Sequence, residues 1–311
     1  VEFVTIEAQA ERAVLVPEAG CQCMSYSVGG LDVIAGPSNP DQWRAHPFRS
    51  GIPILFPWPG RIADGRFVER GTALSLPLNE PARRNAIHGL VWNCPFTVAR
   101  RGPYHLSAVL DSAANAELMR LWPFPFVLEI EYEVGGGLRV RARAHNTGKS
   151  AMPFGVGAHP YFHAPLRPSG SRGAMTIQLP CADGRWPLDE RMLPAGAPVA
   201  LAGKFDLRAA HALGVETYDD VFRLDSRRDP ALPCARLVDP ATKLALEIRA
   251  DAAFGQFVVY APPGGAVVAL EPYTCAPDAF NLAARGIDSG ARELGAGESF
   301  EAGFEIRLGA P

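Results

Sequence analysis

Residues 127–145 read VLEIEYEVGGGLRVRARAH, a run with a strict two-residue period on either side of three glycines. Leu128, Ile130, Tyr132 and Val134 alternate with Glu129, Glu131 and Glu133. Past Gly135-Gly136-Gly137, Leu138, Val140, Ala142 and Ala144 alternate with Arg139, Arg141, Arg143 and His145. Period two puts every apolar side chain on one face, so both halves read as strands with a single buried side. Closing the glycine loop so that Val134 meets Leu138 sets Glu133 against Arg139, Glu131 against Arg141 and Glu129 against Arg143. A slip of one residue would set charges against apolar side chains, so the pattern specifies its own register. The charged rows read as a solvated sheet surface, each pair contributing roughly a few tenths of a kcal/mol.

The same logic extends outward. Leu244, Leu246, Ile248 and Ala250 alternate with Lys243, Glu247 and Arg249, and Phe300 to Leu308 repeats the pattern with Glu301, Glu305 and Arg307. Phe257–Ala261 and Ala266–Leu270 are apolar runs joined by Pro-Pro-Gly-Gly, which predicts a hairpin whose strands are buried on both faces. Helices are expected to be short: Asp41–Ala45, Asn115–Leu121 and Leu207–Leu213. With 31 glycines and 29 prolines in 311 residues, long helices have little room. No βαβ rhythm, repeat or low-complexity linker divides the chain. The expectation is one all-β domain over residues 1–311, mostly antiparallel.

Composition narrows function. The chain is 48% hydrophobic and 20% charged, ordinary for a globular protein. Thirty basic against 33 acidic residues, net charge -3, argue against a nucleic-acid partner. No apolar stretch reaches the roughly 18–20 residues of a membrane-spanning helix, and Glu2, Glu7, Glu11 and Arg12 stand where a secretion signal would be apolar. Six cysteines without ligand spacing read as reduced, buried thiols, and a cytoplasmic location is expected. Dinucleotide, P-loop and serine-hydrolase motifs are absent; Gly155-Val156-Gly157 has Pro160 where a third glycine would stand.

Four dense segments carry the chemistry. The first, GIPILFPWPGRI (residues 51–62) followed by DGRF, has too many prolines for a central strand. An aromatic loop ending in Arg61 suits a polar ring molecule, though it reads equally as a packing loop with a surface arginine. In NAIHGLVW (85–92), His88 sits beside a glycine among apolar residues and on its own reads as a core histidine. In FGVGAHPYFH (154–163), His159 and His163 have helical metal spacing, but Pro160 and the missing glutamate speak against zinc. A histidine held by glycine and proline near aromatics suits proton transfer in a pocket. In ALEPYTCAPDAFN (269–281), Glu271 ends an apolar strand; partial burial would raise its pKa toward general-base use, while a strand-end glutamate in water is the plain alternative.

Together, and in this order, the four segments resemble the aldose 1-epimerase (galactose mutarotase) family over nearly the whole chain. The signatures are a proline-rich F-P loop ending in arginine, a later H-G, G-x-H-P-Y-F and E-P-x-T-x-x-P-D-A-x-N. The resemblance implies a β-supersandwich with an open sugar cleft and no cofactor or metal. It assigns general acid to His159, general base to Glu271, and sugar binding to Arg61 and His88. It places a substrate-binding aspartate in TYDDVF (217–222), at Asp219 with Asp220 as the alternative, and lets Tyr161 and Phe162 line the cleft, with core packing as the equal alternative for either. Where the family usually has asparagine before the loop arginine, this chain has Gly60. The implied reaction interconverts the α and β anomers of a free aldohexose such as galactose or glucose, in a monomer or homodimer. Rival readings are a hexose-phosphate 1-epimerase, for which Arg66, Arg83 and Arg84 are candidate phosphate ligands, and a non-catalytic sugar-binding protein. A glycoside hydrolase would need a second well-placed carboxylate.

Overall fold

The computed structural model describes residues 2–37, 43 and 48–311. It is a β-supersandwich built on a nine-stranded and a seven-stranded sheet. In order across the nine-stranded sheet lie Thr97–Arg101, His105–Asp111, Phe126–Val134, Leu138–Asn146, Ser299–Gly309, Leu244–Ala250, Ala235–Asp239, Thr176–Gln178 and His211–Ala212. Its centre is the expected hairpin, with Val134 opposite Leu138, Glu133 opposite Arg139, Glu131 opposite Arg141 and Glu129 opposite Arg143. The glycine loop has φ values of 132°, 82° and 132°, which side chains adopt poorly. Its outer amides, Gly135 and Gly137, donate to the two oxygens of Glu11 at 2.7 and 2.9 Å, so the turn is satisfied from the neighbouring four-stranded sheet that opens the chain.

The seven-stranded sheet orders Ala182–Arg185, Tyr218–Leu224, Gln256–Ala261, Val267–Tyr273, Gly157–Ala158 and Ile54–Leu55, with Tyr161–His163 also pairing to Val267–Tyr273. The Pro-Pro-Gly-Gly hairpin forms as expected, and both its faces are covered. Phe257, Val259, Val268 and Leu270 join one core cluster with Leu128, Ile130, Val140 and Ile306 of the nine-stranded sheet. Phe56 stands edge-on to Phe126 at 4.8 Å across this interior, and Phe154 does the same to Phe300 at 4.9 Å. Alternate residues, among them Asp219, Val258 and Glu271, therefore face away from that core.

The helix expected at 115–121 is present as Ala116–Leu121, with the Asn115 side chain capping the amide of Leu118 at 3.0 Å. The stretch Leu207–Leu213 corrects the expectation. It is a turn leading into the edge strand His211–Ala212, preceded by a 3₁₀ turn at Gly203–Phe205. Leu207 and Leu213 are its buried anchors, and six residues apart they would lie roughly 120° apart around a helix. The turn and short strand bury both, whereas a helix would set them on different faces. The expected helix Asp41–Ala45 lies outside the described residues apart from Trp43. Among the described residues no helix is long and apolar enough to cross a membrane.

Candidate active site

The face of the seven-stranded sheet turned away from the core floors a cavity of about 350 Å³. Its central pair comes from a simple register. Gly157 lies opposite Tyr273, and Tyr161 opposite Ala269, on the two short strands flanking His159. Continuity of that register sets His159 across from Glu271. Cross-strand neighbours share a face, and His159 Nε2 lies 3.1 Å from Glu271 Oε1. Pro160, which has no amide hydrogen, sits where the pairing is interrupted.

Period two distributes the rest. Tyr161 follows His159 on the cavity face, stacks on its ring at 4.4 Å, and gives its hydroxyl proton to the carbonyl of Phe48. The Tyr161 oxygen therefore meets His159 Nε2 at 3.3 Å as an acceptor. Phe162 points the other way: it is fully buried in the inter-sheet core and does not line the cavity. The expectation that Phe162 lines the cleft is thus corrected by the alternation of its own strand. On the strand Tyr218–Leu224, Asp219 faces the cavity, whereas Asp220 pairs with Arg185 at 3.1 Å.

Arg61 enters from the strand Arg61–Ala63, which pairs with Asn85–Ile87. Its Nε and Nη2 donate to the two oxygens of Glu80 at 2.9 and 3.1 Å, leaving Nη1 without a partner in that fork. Burial works to raise the Glu80 pKa, but Arg61, joined by Asn85 and Arg83, outweighs it and holds the carboxyl below its ordinary value. His88 has φ 64°, a conformation uncommon outside glycine. A Cβ on the following Gly89 would lie 2.2 Å from the Phe56 carbonyl oxygen, so only glycine fits there. That crossing turns the His88 ring toward His159, 5.4 Å away and edge-on.

Burial dominates the electrostatics. Glu271 is 1% exposed and His159 6%. Desolvation pushes the Glu271 pKa well above its usual value, opposed chiefly by a hydrogen bond from Tyr273, whose hydroxyl donates to Oε2 at 2.6 Å. Desolvation likewise lowers His159 and His88 below the ordinary imidazole range. Asp219 is raised by burial despite the pull of Arg61. The site thus holds a buried histidine–glutamate pair in contact, a half-engaged arginine and a second carboxyl group facing one cavity.

Other signature residues turn out to be scaffolding. Thr274 Oγ1 accepts the Val156 amide at 2.8 Å, tying two motifs together. Asp278 Oδ1 accepts from Ala63 at 3.0 Å and from Asn281 at 2.7 Å, which pins the strand that carries Arg61. The sequence profile of the aldose 1-epimerase family matches residues 2–307. The chain belongs to the aldose 1-epimerase family.

Among its relatives, the uncharacterized protein YihR of Escherichia coli K12 is 28% identical over 235 residues, 73% of this chain and 71% of that one. In fold it resembles a galactose mutarotase-like protein from Clostridium acetobutylicum, with TM-score 0.91 and 22% identity over 99% of this chain and 95% of that one. It also resembles galactose 1-epimerase from Lactobacillus acidophilus, with TM-score 0.77 and 18% identity over 99% and 94%.

Set beside the family's usual asparagine, Gly60 has a local reason: its φ is 64°, a region that glycine and asparagine both tolerate. A Cβ there would press on Pro277 at 3.0 Å. Of the arginines considered as phosphate ligands, only Arg83 lines the cavity, and Glu80 already binds it at 2.9 Å. Arg84 pairs with Asp64 at 3.1 Å outside it. Sequence reading missed Glu80, Tyr260 and Tyr273 in the lining; Tyr273 was within reach, being two residues along the strand from Glu271. Among the described residues, no group of three or more potential ligands could hold a metal ion.

Proposed function

We propose that this chain is an aldose 1-epimerase acting on a free aldohexose such as galactose or glucose. The observation that carries the reading is the buried contact between His159 and Glu271 at the floor of a sugar-sized cavity. Anomer exchange requires removal of the C1 hydroxyl proton and protonation of the ring oxygen, then rotation in the open aldehyde and closure on the other face. With one transferable proton between them, the two side chains hold one acid and one base. Glu271 takes the hydroxyl proton, His159 protonates the ring oxygen, and closure returns both. Each transfer is worth about 10²–10⁴-fold. Arg61 Nη1 and His88 hold sugar oxygens, Asp219 accepts from hydroxyls, and Tyr161 walls the cleft. The solved relative named galactose 1-epimerase agrees with this reaction class. The reading also takes residues 1–311 as one domain, supported by a core running from Val4 to Ile306.

One observation favours a second reading. Arg49 lines the cavity, is exposed, and has no ion-pair partner among the described residues; it would suit an anionic sugar such as a hexose phosphate. The test is anomer relaxation, by polarimetry or NMR, of freshly dissolved α-glucose, α-galactose and glucose 6-phosphate. Wild type should accelerate a free sugar, and Glu271→Gln should lose at least about 100-fold of kcat. Preference for the phosphate would move the reading to the second. Sugar-dependent stabilisation with no acceleration on any sugar would identify a binding protein.

A further inference from the structure

Tyr273 donates its hydroxyl to Glu271 Oε2 at 2.6 Å, while Glu271 Oε1 faces His159 at 3.1 Å. The two residues lie two apart on one strand and therefore share the cavity face. Across the sheet, Gly157 lies directly opposite Tyr273, and a Cβ there would come within 2.7 Å of the Pro59 side chain and 2.8 Å of the tyrosine ring. The missing side chain at 157 thus leaves room for the ring and for Pro59, and it gives this glycine of the G-V-G-A-H-P run a physical reason. From this geometry we infer that Tyr273 is a positioning residue that stabilises the carboxylate form of Glu271 against burial and so biases the pair's transferable proton toward His159.

The inference rests on the epimerase reading and deepens it, because it says why the roles fall as they do. Burial alone favours the neutral arrangement, a protonated carboxyl beside a neutral imidazole. A hydroxyl that donates to the carboxyl oxygen favours its ionised form, which opposes burial and shifts the balance of the shared proton from the Glu271 carboxyl toward the imidazole of His159. Burial keeps the Tyr273 phenol protonated far above neutral pH, so it remains a donor throughout the working range. The other groups bearing on Glu271 are Asp219 and Arg61, which oppose one another, and the phenols of Tyr161 and Tyr260. Among the described residues the Tyr273 hydroxyl makes one hydrogen bond, to Glu271 Oε2, and that is the bond the phenylalanine variant removes.

Tyr273→Phe tests this in two independent readouts. In anomer relaxation, the acid limb of the kcat profile should move up by about one pH unit, with kcat at neutral pH down roughly tenfold and KM within about twofold of wild type. In the carbon-13 NMR titration of the Glu271 carboxyl, its pKa should rise by a similar amount in the variant. An unchanged carboxyl titration in Tyr273→Phe overturns the inference, whatever happens to activity. Should wild type exchange no sugar at all, the epimerase reading falls, and the NMR titration still decides what Tyr273 does to Glu271.

Discussion

Asp219 and Asp220 are chemically identical neighbours with opposite surroundings, because one strand turns them to opposite faces. Asp219 meets the cavity and Asp220 meets Arg185. Asp219→Asn should therefore raise KM for the sugar about tenfold, the equivalent of roughly 1.4 kcal/mol of binding. Asp220→Asn should leave KM within about twofold. Steady-state kinetics on the two variants checks this, and an equal effect from both would remove the assignment. The pair also shows what a sequence discloses at this scale. Two adjacent aspartates cannot be ranked until the strand's facing is known, and a single neighbour such as Val221, which also lines the cavity, would have ranked them. The cleft-or-core choice for Tyr161 and Phe162 turns on the same facing: alternation sends Tyr161 to the cavity and Phe162 to the core. His159 and Glu271 were legible singly from their motifs. Their contact was not, because it depends on a cross-strand register between segments more than a hundred residues apart.

Between 127 and 145 the sequence specified its element completely, since charge and apolar rows must both match and only one register does so. Around residues 51–92 it did not. There the chain forms strands of two to four residues, such as Ile54–Leu55 and Asn85–Ile87, too short for periodicity to register. What shapes that region is close backbone approach, visible in sequence only as glycine. Gly89 and Gly136 separate the two ways a glycine can matter. Both have positive φ, 72° and 82°, but a Cβ at Gly89 meets the Phe56 backbone, and one at Gly136 meets nothing within 4 Å. Gly136→Ala should cost about 1 kcal/mol, the conformational penalty alone. Gly89→Ala should cost at least about 3 kcal/mol, because the chain must move as well. Urea denaturation gives both values, and equal midpoints would show that the His88–Gly89 crossing is not tightly held. The stretch Leu207–Leu213 belongs to this scale too: its two buried leucines reach the core from a turn and a two-residue edge strand, whereas a helix would set them on different faces.

Across the molecule, the site is a cost carried by the sheets beneath it. The inter-sheet core is built from one face of each sheet, and the seven-stranded sheet spends its other face on groups that burial disfavours as ions. Glu271 and His88 make that cost measurable, because their shifts run in opposite directions. The Glu271 pKa is raised in the fold, so the folded state binds more protons than the unfolded chain above the unfolded value of 4.5. Its contribution is present below that pH and is lost as pH rises toward the folded pKa. His88 is lowered by burial and by its neighbours His159 and Arg61. Its contribution is present above 6.5 and is lost as pH falls toward its folded pKa. Glu271→Gln keeps an acceptor for Tyr273 and removes the ionisation, so its melting temperature relative to wild type should increase from pH 5 to pH 8. His88→Asn, which tolerates the same positive φ, should show the reverse trend, gaining on wild type from pH 8 down to pH 5. Thermal melts of the three proteins across that range decide it. Parallel curves would mean that both groups exchange protons as they do in water, and burial would no longer explain the site.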